Sequence, residues 1–280
     1  MAFDLGATVP LEAGQYQGSV NYRGGDPQWD LRYIFREVNP SGPVCVLVPG
    51  YRSRGLSSVD NARLSRAITE NLGVSVLAYD YSGSDNRFFS DPATIESYVE
   101  DTQFLTDSLG PRAHLLISKS YGVNIAFAAA SQDTMGVIAS FPAPDLFQKT
   151  IGNYMSRKPK HRFVFEAGLS TVGVFWWKPS SNKSENTYTK LSRKFWQSTQ
   201  SNALSDVFER RSDVPRMPVT IIGNDGDSLG NPQVVRELQE MLAARGHEVE
   251  SQIVQGDRHA YSDHTHTAVL GAVERHIGLG

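Results

Sequence analysis

The sequence has one cysteine, no internal repeat and no long charge run, and these absences narrow what the chain can be. Among its 280 residues the single cysteine is Cys45, so an internal disulfide is impossible and no oxidising compartment is indicated. Cys45 lies in an apolar run, residues 44–48. A reactive thiolate needs polar, electropositive surroundings, so we expect Cys45 to be a small buried hydrophobe.

Charge and hydrophobicity exclude further classes of protein. Lysine and arginine number 27 against 30 acidic residues, for a formal net charge of -3, whereas a dedicated nucleic-acid-binding protein is usually strongly basic. The longest apolar stretch that could suggest a membrane span, residues 172–177, is far too short to cross a bilayer. The first residues lack the basic start and apolar stretch of a secretory signal. We therefore expect a cytoplasmic protein with no nucleic-acid partner and no stable membrane insertion.

Short apolar runs alternate with helix-patterned segments along most of the chain. This alternation is typical of a mostly parallel sheet covered by helices on both faces. Residues 17–21 and 29–38 alternate apolar with polar side chains and predict an antiparallel hairpin at a sheet edge. Further strands are predicted at residues 43–48, 74–78, 113–117, 137–141, 218–222 and 249–254. The sequence thus predicts an α/β fold with a mostly parallel central sheet of about eight strands.

The alternation stops between residues 146 and 216. This stretch is rich in aromatic and basic residues, and it is long for a loop in a compact domain, so a lid or small subdomain is indicated. We predict a core domain in two parts, residues 1–145 and 217–280, with a helical cap or lid formed by the insertion 146–216.

The most informative motif is SKSYG, residues 118–122. A predicted strand leads directly into a helix here, and small residues flank Ser120 two positions away on both sides, which is a form of the nucleophile elbow. Ser118 as the nucleophile would instead have Leu116 as a neighbour, and leucine is too large for so sharp a turn. The alternative is that Ser120 only caps the following helix, because serine is a favoured N-cap residue.

With this motif the chain resembles the α/β-hydrolase family of serine hydrolases, and it is esterase- or thioesterase-like. The resemblance runs from about residue 17 to the last residues and excludes the insertion. In that family the catalytic residues follow the order serine, acid, histidine. The resemblance implies His259 as the histidine, because it follows a late predicted strand and Gly256 stands three residues before it.

The acid of the triad has two candidates, both just after the strand at residues 218–222. We favour Asp227, because Pro232 a few positions on can open the next helix, as the family pattern has it. Asp225 stays open as the alternative. An aspartate in a turn without a catalytic role is the simpler explanation for the residue that is not used.

The resemblance also implies an oxyanion hole made of two backbone N–H groups. Tyr121, the residue after the nucleophile, would supply one, and the loop PGYRS at residues 49–53 would supply the other through Tyr51. Many family members have His-Gly in this loop. This chain has Pro49-Gly50 there, which keeps the glycine that lets the backbone approach the substrate.

Taken together, these residues predict a hydrolase that cleaves a carboxylic ester or acyl thioester through an acyl-serine intermediate. The apolar acyl group would bind under the lid, against Phe175, Trp176 and Trp177. The partner is a small acyl substrate, with an acyl carrier as a candidate source because of Arg52 and Arg54. No cofactor is expected. No metal is expected either, because the histidines and Asp263 after residue 258 match no metal-binding spacing.

The fold leaves two alternatives open, because it hosts many chemistries. An acyltransferase, a lyase or a C–C bond hydrolase could use the same three residues. A catalytically silent relative could bind a ligand or partner instead.

Overall fold

The computed structural model describes residues 8–12, 14–24, 30–50, 55–56, 58–82, 93–145, 173–177, 187–191, 193–227, 229–256, 259 and 261–279. The strands in these ranges are β1 (Thr8–Glu12), β2 (Gln15–Val20), β3 (Leu31–Arg36), β4 (Val44–Val48), β5 (Ser75–Asp80), β6 (His114–Lys119), β7 (Thr134–Ser140), β8 (Gly173–Trp177), β9 (Thr187–Leu191), β10 (Pro218–Asn224) and β11 (Glu248–Val254). The helices are α1 (Val59–Leu72), α2 (Ile95–Asp107), α3 (Gly122–Ala129), α4 (Arg193–Gln200), α5 (Leu204–Arg210), α6 (Pro232–Ala243) and α7 (Asp263–Ile277).

Nine of the strands form one sheet in the order β1-β2-β3-β5-β4-β6-β7-β10-β11. Strands β5, β4, β6, β7, β10 and β11 are parallel to their neighbours, and β1, β2 and β3 join them as antiparallel strands at one edge. The predicted α/β class, the edge hairpin and the parallel sheet are confirmed. The sheet has one strand more than the predicted eight, because β1 adds to the hairpin.

The central strands of the sheet are buried on both faces, which explains why they are apolar throughout. One core cluster includes Leu105 of α2, Ile125 of α3 and Leu238 of α6. A second, on the opposite face, contains Leu64 of α1 and Val269 of α7. Burying each such side chain contributes about 1.5–3 kcal/mol to folding.

Cys45 belongs to the second core cluster and is fully buried. Burial raises the pKa of its thiol to about 12, so the thiol stays protonated and unreactive. The prediction of a structural cysteine is confirmed.

Side-chain caps fix where several of the helices begin. The Asn231 side chain accepts hydrogen bonds from the first turn of α6, with Pro232 at the first helical position, as the sequence predicted. Thr94 and Ser262 form capping boxes at α2 and α7, which satisfies N–H groups that have no partner inside the helix. Helix α1 ends at Gly73 in a left-handed conformation. Within the described ranges, no helix has the length and apolarity that a bilayer crossing requires.

The described part of the insertion contains strands as well as helices. Strands β8 and β9 pair as a separate antiparallel hairpin, in a stretch whose aromatic and β-branched residues favour strands. The following helices α4 and α5 pack on the first core cluster through Phe195, Leu204 and Val207. The division into core and lid stays a prediction, but residues 193–210 are attached closely to the sheet domain.

Candidate active site

Ser120 occupies the sharp turn between β6 and α3. Its φ angle is 57°, a left-handed conformation that costs a residue other than glycine about 1–2 kcal/mol. The turn also needs a small residue at position 122, since a Cβ atom on Gly122 would lie 2.6 Å from the carbonyl oxygen of Pro49. The structure thus has the strained strand-to-helix turn that the SKSYG motif predicts.

Ser118 differs from Ser120 in its surroundings. It is fully buried within β6, and its hydroxyl donates a 3.3 Å hydrogen bond to the carbonyl oxygen of Ile138 on the neighbouring strand. The Ser118 hydroxyl is therefore bonded within the sheet, whereas Ser120 lies just past the end of the strand.

Asp227 and His259 form a close pair. Oδ2 of Asp227 lies 2.6 Å from Nδ1 of His259, and the aspartate side chain is fully buried. Burial raises the pKa of Asp227, but the hydrogen bond and charge of His259 and backbone N–H groups from Leu229 and Gly230 outweigh it, so the pKa lies below its usual value. The carboxylate is therefore ionised near neutral pH and can hold a proton on Nδ1 of the imidazole.

Asp225 has a different partner. Its Oδ1 accepts a 2.9 Å hydrogen bond from the backbone N–H of Gly256. This contact links the loop after β10 to the loop after β11, and it places Asp225 beside the segment that leads to His259. Of the two candidate acids, Asp227 is the one that the structure brings to the imidazole.

The sheet topology places these residues after the carboxyl ends of nearby parallel strands. Strands β6, β7, β10 and β11 are parallel neighbours, so their carboxyl ends, where ligands bind in such sheets, lie side by side. Ser120 follows β6, Asp227 follows β10 and His259 follows β11. The Nε2 atom of His259 is buried and has no hydrogen-bond partner among the described residues, which suits the atom that would exchange a proton.

The predicted oxyanion hole is described in part. Tyr121 is the N-cap residue of α3, so its N–H lies at the positive end of the helix dipole, where negative charge is stabilised. A Cβ atom on Gly50 would lie 3.2 Å from Cβ of Ser120, so the loop after β4 approaches the serine closely. Tyr51, together with residues 52 and 54, lies outside the described residues.

The three predicted acyl-pocket residues lie in β8. Phe175, Trp176 and Trp177 pair with Thr189, Tyr188 and Thr187 of β9 through their backbones. Their side chains lie outside the described part of the structure, so their contribution to a pocket stays a prediction.

Sequence reasoning missed two residues beside the site. Lys119 is largely buried, with Nζ 3.5 Å from Oδ2 of Asp60 and 4.8 Å from the ring centre of Tyr261. Burial lowers the pKa of Lys119, and the carboxylate of Asp60 opposes this shift. Phe141, which follows β7, has a φ angle of 49°. The motif spacing points to neither residue, because no rule about nucleophile elbows specifies a lysine or a phenylalanine there.

The closely spaced polar residues near His259 have other partners. Asp263 forms a 2.8 Å ion pair with Arg63, and the His266 ring lies 5.2 Å from that of Tyr261. In the portion of the chain that the structure covers, no group of three or more histidine, cysteine or acidic residues is arranged to hold a metal ion.

Comparison with known proteins identifies the fold. No protein-family model matches the sequence, and the comparison with curated proteins also found no match. Solved structures do match over nearly the whole chain. The mouse alpha/beta hydrolase domain-containing protein 10 is 17% identical, with a TM-score of 0.69 over 94% of this chain and 98% of that one.

Two further solved structures match the chain in the same way. A soluble variant of monoglyceride lipase from Saccharomyces cerevisiae is 13% identical, with a TM-score of 0.66 over 100% of this chain and 98% of that one. Est1E from Butyrivibrio proteoclasticus is 16% identical, with a TM-score of 0.61 over 92% and 96%. The chain therefore has the α/β-hydrolase fold, as the resemblance implied.

Proposed function

We propose that this protein is a serine hydrolase that cleaves carboxylic esters or acyl thioesters through an acyl-serine intermediate. The observation that carries the proposal is the 2.6 Å contact between Asp227 and His259, at the sheet edge where Ser120 occupies a strained turn. A serine hydroxyl is a weak nucleophile, so it needs a base to take its proton and a third group to orient that base. Ser120, His259 and Asp227 would be the nucleophile, the base and the orienting group.

The first half of the reaction forms the acyl-serine. Oγ of Ser120 attacks the carbonyl carbon of the substrate while Nε2 of His259 takes the hydroxyl proton. The carbonyl oxygen becomes an oxyanion, which the N–H of Tyr121 and the loop after Gly50 would stabilise. Losing one such donor typically costs about 3 kcal/mol of barrier. The intermediate then expels an alcohol or thiol, which receives its proton from His259.

The second half releases the acid. Water attacks the carbonyl carbon of the acyl-serine, and Nε2 of His259 takes a proton from it. When this intermediate collapses, the carboxylic acid leaves, and Oγ of Ser120 regains its proton from His259. The buried carboxylate of Asp227 stabilises the imidazolium in both halves and keeps the Nδ1–H tautomer, so that Nε2 is free to act as the base.

An ester is the substrate class that we favour. The monoglyceride lipase among the structural neighbours is by name an ester-cleaving enzyme, and the same steps serve a thioester without change. An acyl carrier as the substrate's source, and an apolar pocket at Phe175, Trp176 and Trp177, remain parts of the proposal.

Labelling with a fluorophosphonate tests the proposal directly. Intact mass should show one covalent adduct on the wild-type protein and none on Ser120→Ala. Ser118→Ala is the matched control, because it removes a nearby hydroxyl that is bonded within the sheet, and it should still be labelled.

Esters and thioesters of increasing acyl length, assayed with the wild type and His259→Ala, would then identify the acyl group. A wild-type protein that takes up no label would count against an activated serine. Ester cleavage that persists in His259→Ala would count against the proposed base.

A further inference from the structure

Among the described residues other than glycine, two have a positive φ angle, and both lie at the edge of the sheet that carries the candidate active site. They are Ser120, at 57°, and Phe141, at 49°. The conformation of Ser120 belongs to the elbow. That of Phe141 has no such explanation, and residues are held in this region only where the surrounding structure enforces it, commonly at functional sites.

The turn that contains Phe141 holds the backbone of Ser120 from two directions. The N–H of Ser120 donates to the carbonyl oxygen of Ser140 at 3.0 Å, and the N–H of Ala143 donates to the carbonyl oxygen of Ser120 at 3.3 Å. Residues immediately before and shortly after Phe141 therefore fix both polar backbone groups of Ser120. A change in the path of this turn would move the serine.

The side chain of Phe141 reaches the histidine. Its ring centre lies 5.8 Å from that of His259, at an interplanar angle of 55°. It also meets the Tyr261 ring edge-on, at 5.5 Å and 67°. Phe141 is fully buried, so these contacts support one side of the imidazole with a rigid surface.

The backbone of Phe141 also adjoins the loop that carries the aspartate. Its N–H donates a 2.7 Å hydrogen bond to the carbonyl oxygen of Ile222 in β10. A Cβ atom added to Gly230 would lie 2.8 Å from Cα of Phe141 and 2.9 Å from Oδ2 of Asp227. Position 230 thus has room for glycine alone, with Phe141 on one side and the carboxylate on the other.

We infer that Phe141 is a positioning residue that sets where Ser120, Asp227 and His259 stand relative to one another. Its left-handed backbone turns the ring towards His259, while its flanking residues hold Ser120 and its main chain packs beside the Asp227 loop. The inference rests on the proposed function for its catalytic meaning. Its geometric content, that the Phe141 ring supports the imidazole, can be tested separately.

A matched control exists for ordinary core packing. Phe127 is also fully buried and also contacts a histidine, His247, with ring centres 5.6 Å apart. That pair lies outside the candidate active site. Phe141→Leu and Phe127→Leu therefore remove the same ring from comparable surroundings and should lower the thermal midpoint to a similar extent.

Two readouts separate positioning from stability. The first is the rate constant for fluorophosphonate labelling of Ser120. We expect Phe141→Leu to react at least about tenfold more slowly than wild type, since small displacements of reacting groups have effects of this size or larger, and Phe127→Leu to stay within about twofold. The second is the far-downfield proton NMR signal of the His259–Asp227 hydrogen bond, assigned by its loss in Asp227→Asn. It should weaken or shift in Phe141→Leu and persist in Phe127→Leu.

Wild-type labelling rates in Phe141→Leu, or equal slowing in both variants, would overturn the inference. If the wild type is not labelled at all, the proposed function fails, and the NMR signal alone decides the geometric inference. An unchanged signal in Phe141→Leu would then overturn it.

Discussion

The phenol of Tyr121 donates a 2.9 Å hydrogen bond to the main-chain carbonyl of Asn202, so the residue after Ser120 is joined to the segment between α4 and α5. The same carbonyl accepts a 3.0 Å bond from the side chain of Asn124. The Asn202 side chain donates to Glu96 at 2.6 Å and accepts from Arg210 at 2.5 Å. One asparagine thus links the first turn of α3, the start of α2 and helix α5.

Because Tyr121 and Asn124 share the Asn202 carbonyl as acceptor, we expect their substitutions to have non-additive effects on the free energy of unfolding. Tyr121→Phe leaves the Asn202 carbonyl bonded to Asn124, so the loss should be about 1 kcal/mol. The double variant Tyr121→Phe/Asn124→Leu leaves that carbonyl without either donor. It should cost more than the sum of the single variants. Urea unfolding of the wild type, both singles and the double measures the difference, and strict additivity would contradict a shared acceptor.

The two aspartates near His259 should differ sharply in their effect on turnover. Asp227→Asn keeps the shape of the side chain but removes the charge that fixes the imidazole, so we expect kcat to fall by about 10⁴-fold. Asp225→Asn alters a hydrogen bond to the Gly256 backbone and should change kcat far less. Steady-state kinetics on one short ester compares them. Equal losses in both variants would argue against Asp227 as the acid of the triad.

The glycine two residues after Ser120 should tolerate no side chain. Gly122→Ala puts a methyl group within 2.6 Å of a backbone oxygen, so the elbow must shift, at a cost of about 1–3 kcal/mol and with loss of labelling at Ser120. Gly271→Ala is the control. Among the described residues, the nearest atom to its methyl group would be 3.6 Å away, and alanine in helix α7 should add about 0.5–1 kcal/mol. Thermal unfolding of both variants measures these opposite signs.

Buried histidines should make the fold sensitive to mild acid. His114 is almost fully buried, with Nε2 2.9 Å from the hydroxyl of Thr134, and burial lowers its pKa from 6.5. Burial also lowers the pKa values of His247, His266 and His276. Below about pH 6.5 the unfolded chain therefore binds protons that the folded protein does not, and stability falls as the pH falls.

Urea midpoints at pH 7.5 and pH 5.5 check this expectation. The wild type should have a lower urea midpoint at pH 5.5 than at pH 7.5. His114→Gln should lose less between the two pH values than the wild type does, because one of the titrating groups is gone. The lowered pKa of Asp227 does not enter this window, since its effect on stability appears only near and below the ordinary pKa of a carboxyl group. Identical midpoints at both pH values would contradict the prediction.

Local pattern was enough to predict the sheet and the turn at Ser120. The buried strands are continuous apolar runs, and the small residues at positions 118 and 122 report a steric requirement that is confined to one turn. The pairing of Asp227 with His259 could be predicted from the sequence only through the family resemblance. Both residues follow late strands, and neither segment alone determines the order of the strands in the sheet.

Other features depend on contacts that no local pattern contains. A left-handed conformation normally indicates glycine or asparagine, so a phenylalanine before Pro142 gave no reason to expect it. The attachment of residues 193–210 to the core includes the hydrogen bonds of Asn202, whose partners are as many as 106 residues away in sequence. Strands β8 and β9 also went unpredicted, because their aromatic residues were assigned to a lid by composition alone.

The distance along the chain between Tyr121 and Asn202, 81 residues, has a consequence for folding. During synthesis, β6 and α3 leave the ribosome long before Asn202 is added. The carbonyl oxygen of Asn202 accepts the hydrogen bonds of the Tyr121 phenol and the Asn124 amide. Contacts of such high sequence separation form late and slow folding. We therefore expect the catalytic end of the sheet to be completed last, with the shape of its serine turn set by residues that the ribosome adds only after the turn itself.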